Sequence, residues 1–264
     1  MSTNSYVIRD SATMLRRNLR HAMRYPSVTV LVLGIPVIFL LLFLYVFGGT
    51  LGAGLGVVSG DRGAYVDYVT PGIILMAVAG VAQGTAIAIA MDMTEGIITR
   101  FRTMGIARAS VLTGHVLGST IQTMLGLAVV IGVALAIGFR PNAGLIEWIA
   151  AGGVLLIVTL AITWLSVALG LVGKSVESAS NLPMPLILLP FLGSGFVPTD
   201  SMPVGLRWFA EYQPFTPVME TLRGLLMGTP IGNRALLAVA WCAFIGLVGY
   251  RWALALYNRD PSRS

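Results

Sequence analysis

The chain alternates long apolar runs with short polar segments, and that alternation leaves few folds open to it. The runs fall near 28–47, 68–91, 111–137, 148–172, 182–197 and 235–256. All but the fifth are about 20 residues or longer, enough for a helix to cross roughly 30 Å of hydrocarbon. Backbone in lipid must bond to itself, so such runs become helices. Composition agrees. Of 264 residues, 56% are hydrophobic and 11% are charged, less than half of the roughly 25% found in soluble domains. The expectation is an all-α integral membrane protein of six transmembrane helices, a single domain over 1–264 with its spans between 28 and 256.

The flanking segments add detail. In 7–24, Ile8, Ala12, Leu15 and Leu19 repeat at helical spacing, and Arg9, Arg16, Arg17, Arg20 and Arg24 occupy an adjoining face. That pattern predicts an amphipathic helix lying in the headgroup layer. Pro36 is expected to kink the first span, and the Gly-rich 48–63 reads as a flexible linker. Gly80 and Gly84 bracket Gln83 in a small-xxx-small pattern that predicts close helix packing. The fifth run holds Pro183, Pro185 and Pro190 and leads to Gly193 and Gly195, so a broken helix re-entering from the outer side is expected. Residues 198–230 read as short interfacial helices, with Trp208 and Tyr212 in the outer headgroup layer.

Between the second and third runs lies a charged island, DMTEGIITRFRTMGIAR, residues 92–108. From Glu95 it reads as a short helix with Ile97, Phe101 and Met104 on one side and Arg100 and Arg102 off it. Such a segment suits docking against another protein. It also suits an ordinary loop whose arginines set topology. With six spans and the N-terminus inside, Lys and Arg divide 12 to 5 between inner and outer segments. That bias puts both termini and the island in the cytoplasm.

Several chemistries lack their residues. The net charge of +6 sits beside hydrophobic spans, so orientation explains it better than nucleic acid does. Cys242 has no second cysteine to pair with, and His21 and His115 have no acid or cysteine at metal-ligand spacing. ALGLVGKS, residues 168–175, approaches the phosphate-binding pattern GxxxxGK[ST], but Ala168 replaces its first glycine and no strand precedes it. No nucleophile or acid pair is placed for catalysis. The six run cores hold no Asp, Glu or Lys, which argues against an ion-driven carrier. Gln83, Gln122, Thr163 and Ser166 are available to line a route, although hydrogen bonding between helices is the simpler reading. Any uphill transport must then be powered by another polypeptide.

Three stretches together resemble the type-two permeases of ATP-binding-cassette exporters, in particular the daunorubicin-resistance kind. The first is RRNLRHAMRYPSVTVLVLGIPVIFLLLF, residues 16–43. The second is the island, with Asp92, Glu95, Gly96, Arg100 and Arg102 in the matching places. The third is Pro190, the SGFVP of Ser194 to Pro198, Met202-Pro203, Pro214, Thr216-Pro217, Arg223 and Gly228. Gly105 departs from the family, which often has proline there.

The resemblance implies a permease domain with no nucleotide-binding domain and no catalytic residues of its own. Two cytoplasmic ATPase subunits would bind ATP and Mg, and a second permease chain, identical or related, would complete the pathway. The island becomes a coupling helix, with Asp92, Glu95, Gly96, Arg100, Phe101, Arg102, Met104 and Gly105 at the ATPase contact. Arg16, Arg17, Arg20 and Arg24 flank that contact. Pro190, Ser194, Gly195, Phe196 and Pro198 form an outer gate. The implied activity is export of an amphipathic drug or lipid-like compound from a prokaryotic plasma membrane, in contact with membrane lipids and without nucleic acid, cofactor or metal on this chain. Export of a lipid-linked glycan, or a non-transporting scaffold recruiting a cytoplasmic partner, are the alternatives.

Overall fold

A computed structural model describes residues 26–48, 62–94, 108–173 and 175–258. Among these residues the regular structure is helical, with no strand. Helix α1, Pro26–Leu42, has Pro at its first position, where the missing N–H costs no hydrogen bond, and runs on into a π-helical turn, Phe43–Phe47. Three long helices follow: α2, Arg62–Thr94; α3, Arg108–Ile137; and α4, Leu145–Val172. A broken segment comes next, made of α5, Val176–Asn181, α6, Met184–Leu188, and a 3-10 turn, Leu189–Leu192. After a second 3-10 turn, Thr199–Ser201, come α7, Val204–Tyr212, α8, Phe215–Met227, and α9, Arg234–Asn258.

Among the described residues, four helical stretches are long and apolar enough to cross a membrane: Gly63–Thr94, Leu112–Ile137, Leu145–Val172 and Arg234–Asn258. Gly34–Phe47 and Val176–Leu192 are shorter apolar helical stretches. Helix α2 is the centre of the bundle. Two-thirds of its apolar window is buried, against 17% for α9. Val69, Ile73, Ile74 and Leu75 cover all sides of α2 and are each fully buried. Helices α3 and α9 turn Leu125, Val129, Phe244 and Leu247 outward, which suits a lipid surrounding as apolar as the side chains themselves. We call the end where α2 stops and α3 starts the near end, and the opposite end, with the turn 138–144, the far end.

The breaks follow the prolines. Pro183 ends α5 and opens α6, and Pro190 sits in the 3-10 turn, each lacking the N–H that a continuous helix would use. The polar GKSVESASN segment is partly helix. Ser175 caps α5 by accepting from the Ser178 N–H at 3.1 Å, and the Ser178 hydroxyl accepts from the Ser175 N–H at 3.2 Å.

Two sequence expectations change. The 198–230 stretch is not uniformly interfacial. Helix α7 exposes Val204, Trp208 and Tyr212, but α8 buries Phe215, Thr216, Val218, Met219 and Leu222 among α2, α4 and α9. Phe215 shares the lining of one small void with Val158, Ile162, Cys242 and Ile245, level with the middle of α4 and α9. Gly80 and Gly84 are not points of close helix approach, because a Cβ on either would meet nothing within 4 Å. The close approaches are at Gly72, Gly170 and Gly249. A Cβ on Gly170 would fall 2.7 Å from the Ala86 carbonyl oxygen. Gly80→Ala and Gly84→Ala are therefore expected to raise stability by about 0.5–1 kcal/mol each, the ordinary helical preference for alanine, read by thermal unfolding in detergent.

Candidate functional site

At the near end, α2 carries Asp92 in its last turn, two residues before Thr94, and α3 carries His115 two turns in. His115 Nε2–H donates to Asp92 Oδ2 at 2.9 Å. Asp92 is 8% exposed and His115 7%. Around them Ile89, Leu112, Val116, Val167, Ala168, Ala253 and Tyr257 form an apolar cluster separate from the main core, drawing on α2, α3, α4 and α9. Asp92 was read from sequence as part of the charged island; it belongs to a helix and faces inward. His115 was missed, since 23 residues separate the partners and no local spacing joins them. Glu95, Gly96, Arg100, Phe101, Arg102, Met104 and Gly105, and the arginines Arg16, Arg17, Arg20 and Arg24, lie outside the described residues. So does Lys174 of the phosphate-loop look-alike. Its Ala168 to Val172 portion is helical and follows no strand, and Ala168 is fully buried in the near-end cluster.

At the far end, the chain leaving the 3-10 turn passes through Gly193, Ser194 and Gly195 without helical bonding. Non-helical backbone inside an apolar bundle needs partners for its polar groups, and side chains supply them. The Ser194 carbonyl accepts from the Tyr68 hydroxyl at 3.0 Å and from an Arg223 guanidinium nitrogen at 2.8 Å. The same nitrogen donates to the Tyr68 carbonyl at 3.2 Å, and the guanidinium lies 4.0 Å over the Tyr68 ring. Ser194 N–H donates to Thr216 Oγ1 at 3.3 Å. Gln213 donates to Thr216 Oγ1 at 3.1 Å and to the Leu189 carbonyl at 3.3 Å, and accepts from Phe215 N–H at 3.1 Å.

Gly195 fits because it faces Gly72, where a Cβ would sit 2.8 Å from the Gly195 carbonyl oxygen. Phe196 stacks on Phe191 at 4.9 Å and on Phe43 of the π-helical turn at 4.5 Å, tying the turn to the first helix. Pro190 is buried, and Pro198 leads into the 3-10 turn whose Ser201 hydroxyl donates back to its carbonyl at 2.8 Å. The structure thus brings Pro190, Ser194, Gly195, Phe196 and Pro198 into one turn region. It adds Tyr68, Gln213, Thr216 and Arg223 as the groups that hold it.

Above the turn, Arg207 pairs with Glu211 at 2.7 Å and Asp200 at 2.5 Å. The hydrogen bond to Glu211, then the charge of Asp200, holds its guanidinium above the usual range. Arg234 at the start of α9 pairs with Glu220 at 2.8 Å and donates to the Glu211 carbonyl at 3.3 Å, while Trp241 Nε1 donates to the Tyr212 carbonyl at 3.0 Å. These bonds fix α7 and α8 to the last helix.

The four polar residues considered for a route have separate surroundings. Gln83 donates to the Ser180 carbonyl at 3.0 Å, a bond between α2 and α5. Thr163 and Ser166 are buried and donate to their own helix, to Thr159 at 2.7 Å and Ile162 at 2.6 Å. Gln122 is half-buried on α3. Among the described residues no group of three or more His, Cys, Asp or Glu is placed to hold a metal ion.

Comparison with known proteins places these features in context. Residues 10–227 match the model of the ABC-2 type transporter family. The daunorubicin resistance ABC transporter permease protein DrrB1 of Streptomyces coeruleorubidus is 27% identical over 227 residues, 83% of this chain and 77% of that protein. The probable doxorubicin resistance ABC transporter permease protein DrrC of Mycobacterium tuberculosis is 26% identical over 259 residues, 96% of this chain and 92% of that protein. Nodulation protein J of Rhizobium leguminosarum bv. viciae is 26% identical over 230 residues, 83% of this chain and 85% of that protein.

Proposed function

Because the chain belongs to the ABC-2 type transporter family, we propose that it is the membrane permease subunit of an ATP-driven exporter, moving an amphipathic drug or lipid-like compound out of a prokaryotic cell. The observation that carries this reading is the extent of the family match, 10–227, which takes in the first helix, the 95–107 segment and the far-end turn together. The drug-resistance names of two relatives, at 26% and 27% identity, motivate the substrate class.

In this reading α1 and the broken α5–α6 segment join the four long helices to make six spans. The stretch Val176–Leu192 is 17 residues, short for a span, and is broken at Pro183 and by the 3-10 turn. The charge bias then makes the near end cytoplasmic, with both termini. Two ATPase subunits bind ATP with Mg and seat on the 95–107 segments of two permease chains, the expected coupling helices. Glu95, Gly96, Arg100, Phe101, Arg102, Met104 and Gly105 make that contact, and the amphipathic 7–24 segment flanks it. The permease chain carries no catalytic step. Its helices tilt when the loop is displaced, and the far-end turn around Ser194 to Pro198 acts as the outer gate.

Combined replacement Glu95→Ala and Arg100→Ala is expected to abolish ATP-driven efflux of daunorubicin from cells expressing the chain with its partner ATPase. The variant's membrane level should stay unchanged. Undiminished efflux from a properly inserted variant would contradict coupling through the loop.

A further inference from the structure

We propose that Asp92 and His115 form an intramolecular clamp that makes the near ends of α2 and α3 move as one body, so that His115 is a positioning residue for coupling. The inference rests on the exporter reading and deepens it. Asp92 stands at the edge of the segment assigned to the ATPase, yet it is only 8% exposed and its carboxylate accepts from His115. It acts through α3, not by touching the partner.

The surroundings give that bond its leverage. Residues 95–107 connect the last turn of α2 to the first turn of α3, so a push on the loop is delivered to both helices. Two helices joined only through the chain between them can be displaced separately. A charge-assisted bond of 2.9 Å, buried in apolar surroundings, resists their separation, because breaking it would take the buried His115 ring away from the carboxylate it donates to. Ile89 on α2, and Leu112 and Val116 on α3, pack beside the pair against Val167 and Ala168 of α4 and Ala253 and Tyr257 of α9. Gly170 brings the α4 backbone against Ala86. The clamped pair is therefore seated in a packed block of four helices, and loop displacement is passed to that block as a whole.

The test uses the full chain, co-expressed and purified with its partner ATPase, in lipid nanodiscs. Cys242→Ala removes the native thiol. Nitroxides are attached at Met93→Cys and Leu117→Cys, positions 40% and 38% exposed beside the pair. The dipolar coupling between the labels is measured before and after trapping with ATP and vanadate. We expect it to be unchanged by trapping when the clamp is intact. In His115→Ala it changes on trapping, and daunorubicin moved per ATP falls about 3- to 30-fold. His115→Gln, whose amide can still donate to Asp92, restores the constant coupling.

A His115→Ala chain whose label separation stays constant on trapping overturns the clamp. So does a wild-type complex whose separation changes, or a well-folded His115→Gln chain that fails to restore constancy. A wild-type chain that brings no ATPase with it defeats the exporter reading, and this inference falls with it; that result is visible at purification, before any label is read.

Discussion

Arg223→Ala is expected to unseat the far-end turn and to stop export. One guanidinium nitrogen holds the carbonyls of Ser194 and Tyr68, at 2.8 and 3.2 Å, and the guanidinium carbon lies 4.0 Å from the Tyr68 ring centroid. A hydrogen bond from a charged donor contributes about 1.5–3 kcal/mol, and a desolvated cation over an aromatic ring about 2 kcal/mol. The arginine is itself only half-buried and must be desolvated in the folded chain, so a net loss of about 2–4 kcal/mol is expected. The Tyr68 hydroxyl still reaches the Ser194 carbonyl in the variant, which keeps the loss from being larger. Arg223→Lys should recover only part of it, because a single ammonium that holds the carbonyls leaves no guanidinium over the Tyr68 ring. Thermal unfolding in detergent reads the stability. Transport in vesicles reads the gate, with export falling by about tenfold or more if the turn no longer closes. Wild-type stability and wild-type export together would remove Arg223 from the gate.

The second large effect belongs to α9. Gly249→Leu places a Cβ where the nearest atoms are Leu165 N at 2.6 Å, Trp164 C at 2.8 Å and Leu165 Cα at 2.9 Å. All three are backbone, so no side chain can swing aside and the helices must part. Helices α4 and α9 are the most extensively packed pair in the bundle, and the edge-on contact of Trp164 with Tyr250, at 4.9 Å, lies beside the crossing. Overpacking costs about 1–3 kcal/mol where neighbours can adjust; here they cannot, and a loss of about 3 kcal/mol or more is expected. Three residues earlier, Gly246→Ala meets Ala161 at 3.5 and 3.7 Å, an ordinary contact, and should fold normally. The two variants therefore separate, on one helix, a true crossing point from a small residue that merely lies near it. Equal thermal stabilities for Gly249→Leu and Gly246→Ala would contradict the packing.

The long helices were legible because apolar runs of their length have one satisfactory backbone conformation in lipid. The break in the fifth run was legible because three prolines remove the donors a continuous helix needs. The far-end turn was legible as a cluster, since Pro190, Ser194, Gly195, Phe196 and Pro198 are neighbours in sequence. Its supports were not, because Tyr68 and Arg223 stand 126 and 29 residues from Ser194. Helix α8 was misread for a related reason. Glu220 and Arg223 suggest a wet surface, but Glu220 pairs with Arg234, and Arg223 spends its charge on backbone carbonyls and a ring. Helix α2 starts at Arg62, ahead of its apolar run, with Asp67 accepting from the Arg140 backbone N–H at 3.0 Å. Glycine spacing marked Gly80 and Gly84, yet close approach depends on what the facing element presents, and it is Gly72, Gly170 and Gly249, among others, that face backbone. The Asp92–His115 pair joins two helices 23 residues apart in sequence, a relation that no linear spacing reveals.

The measurement that bears most directly on the central claim is purification of the chain from its native membrane in mild detergent, after crosslinking through residues 95–107, with mass spectrometry of what accompanies it. The account predicts a soluble ATPase with a complete GxxxxGK[ST] sequence crosslinked to that loop, and peptides of a second permease chain, identical or related. If the loop crosslinks to no ATPase while the chain itself is recovered folded, the chain is not the membrane half of an ATP-driven exporter.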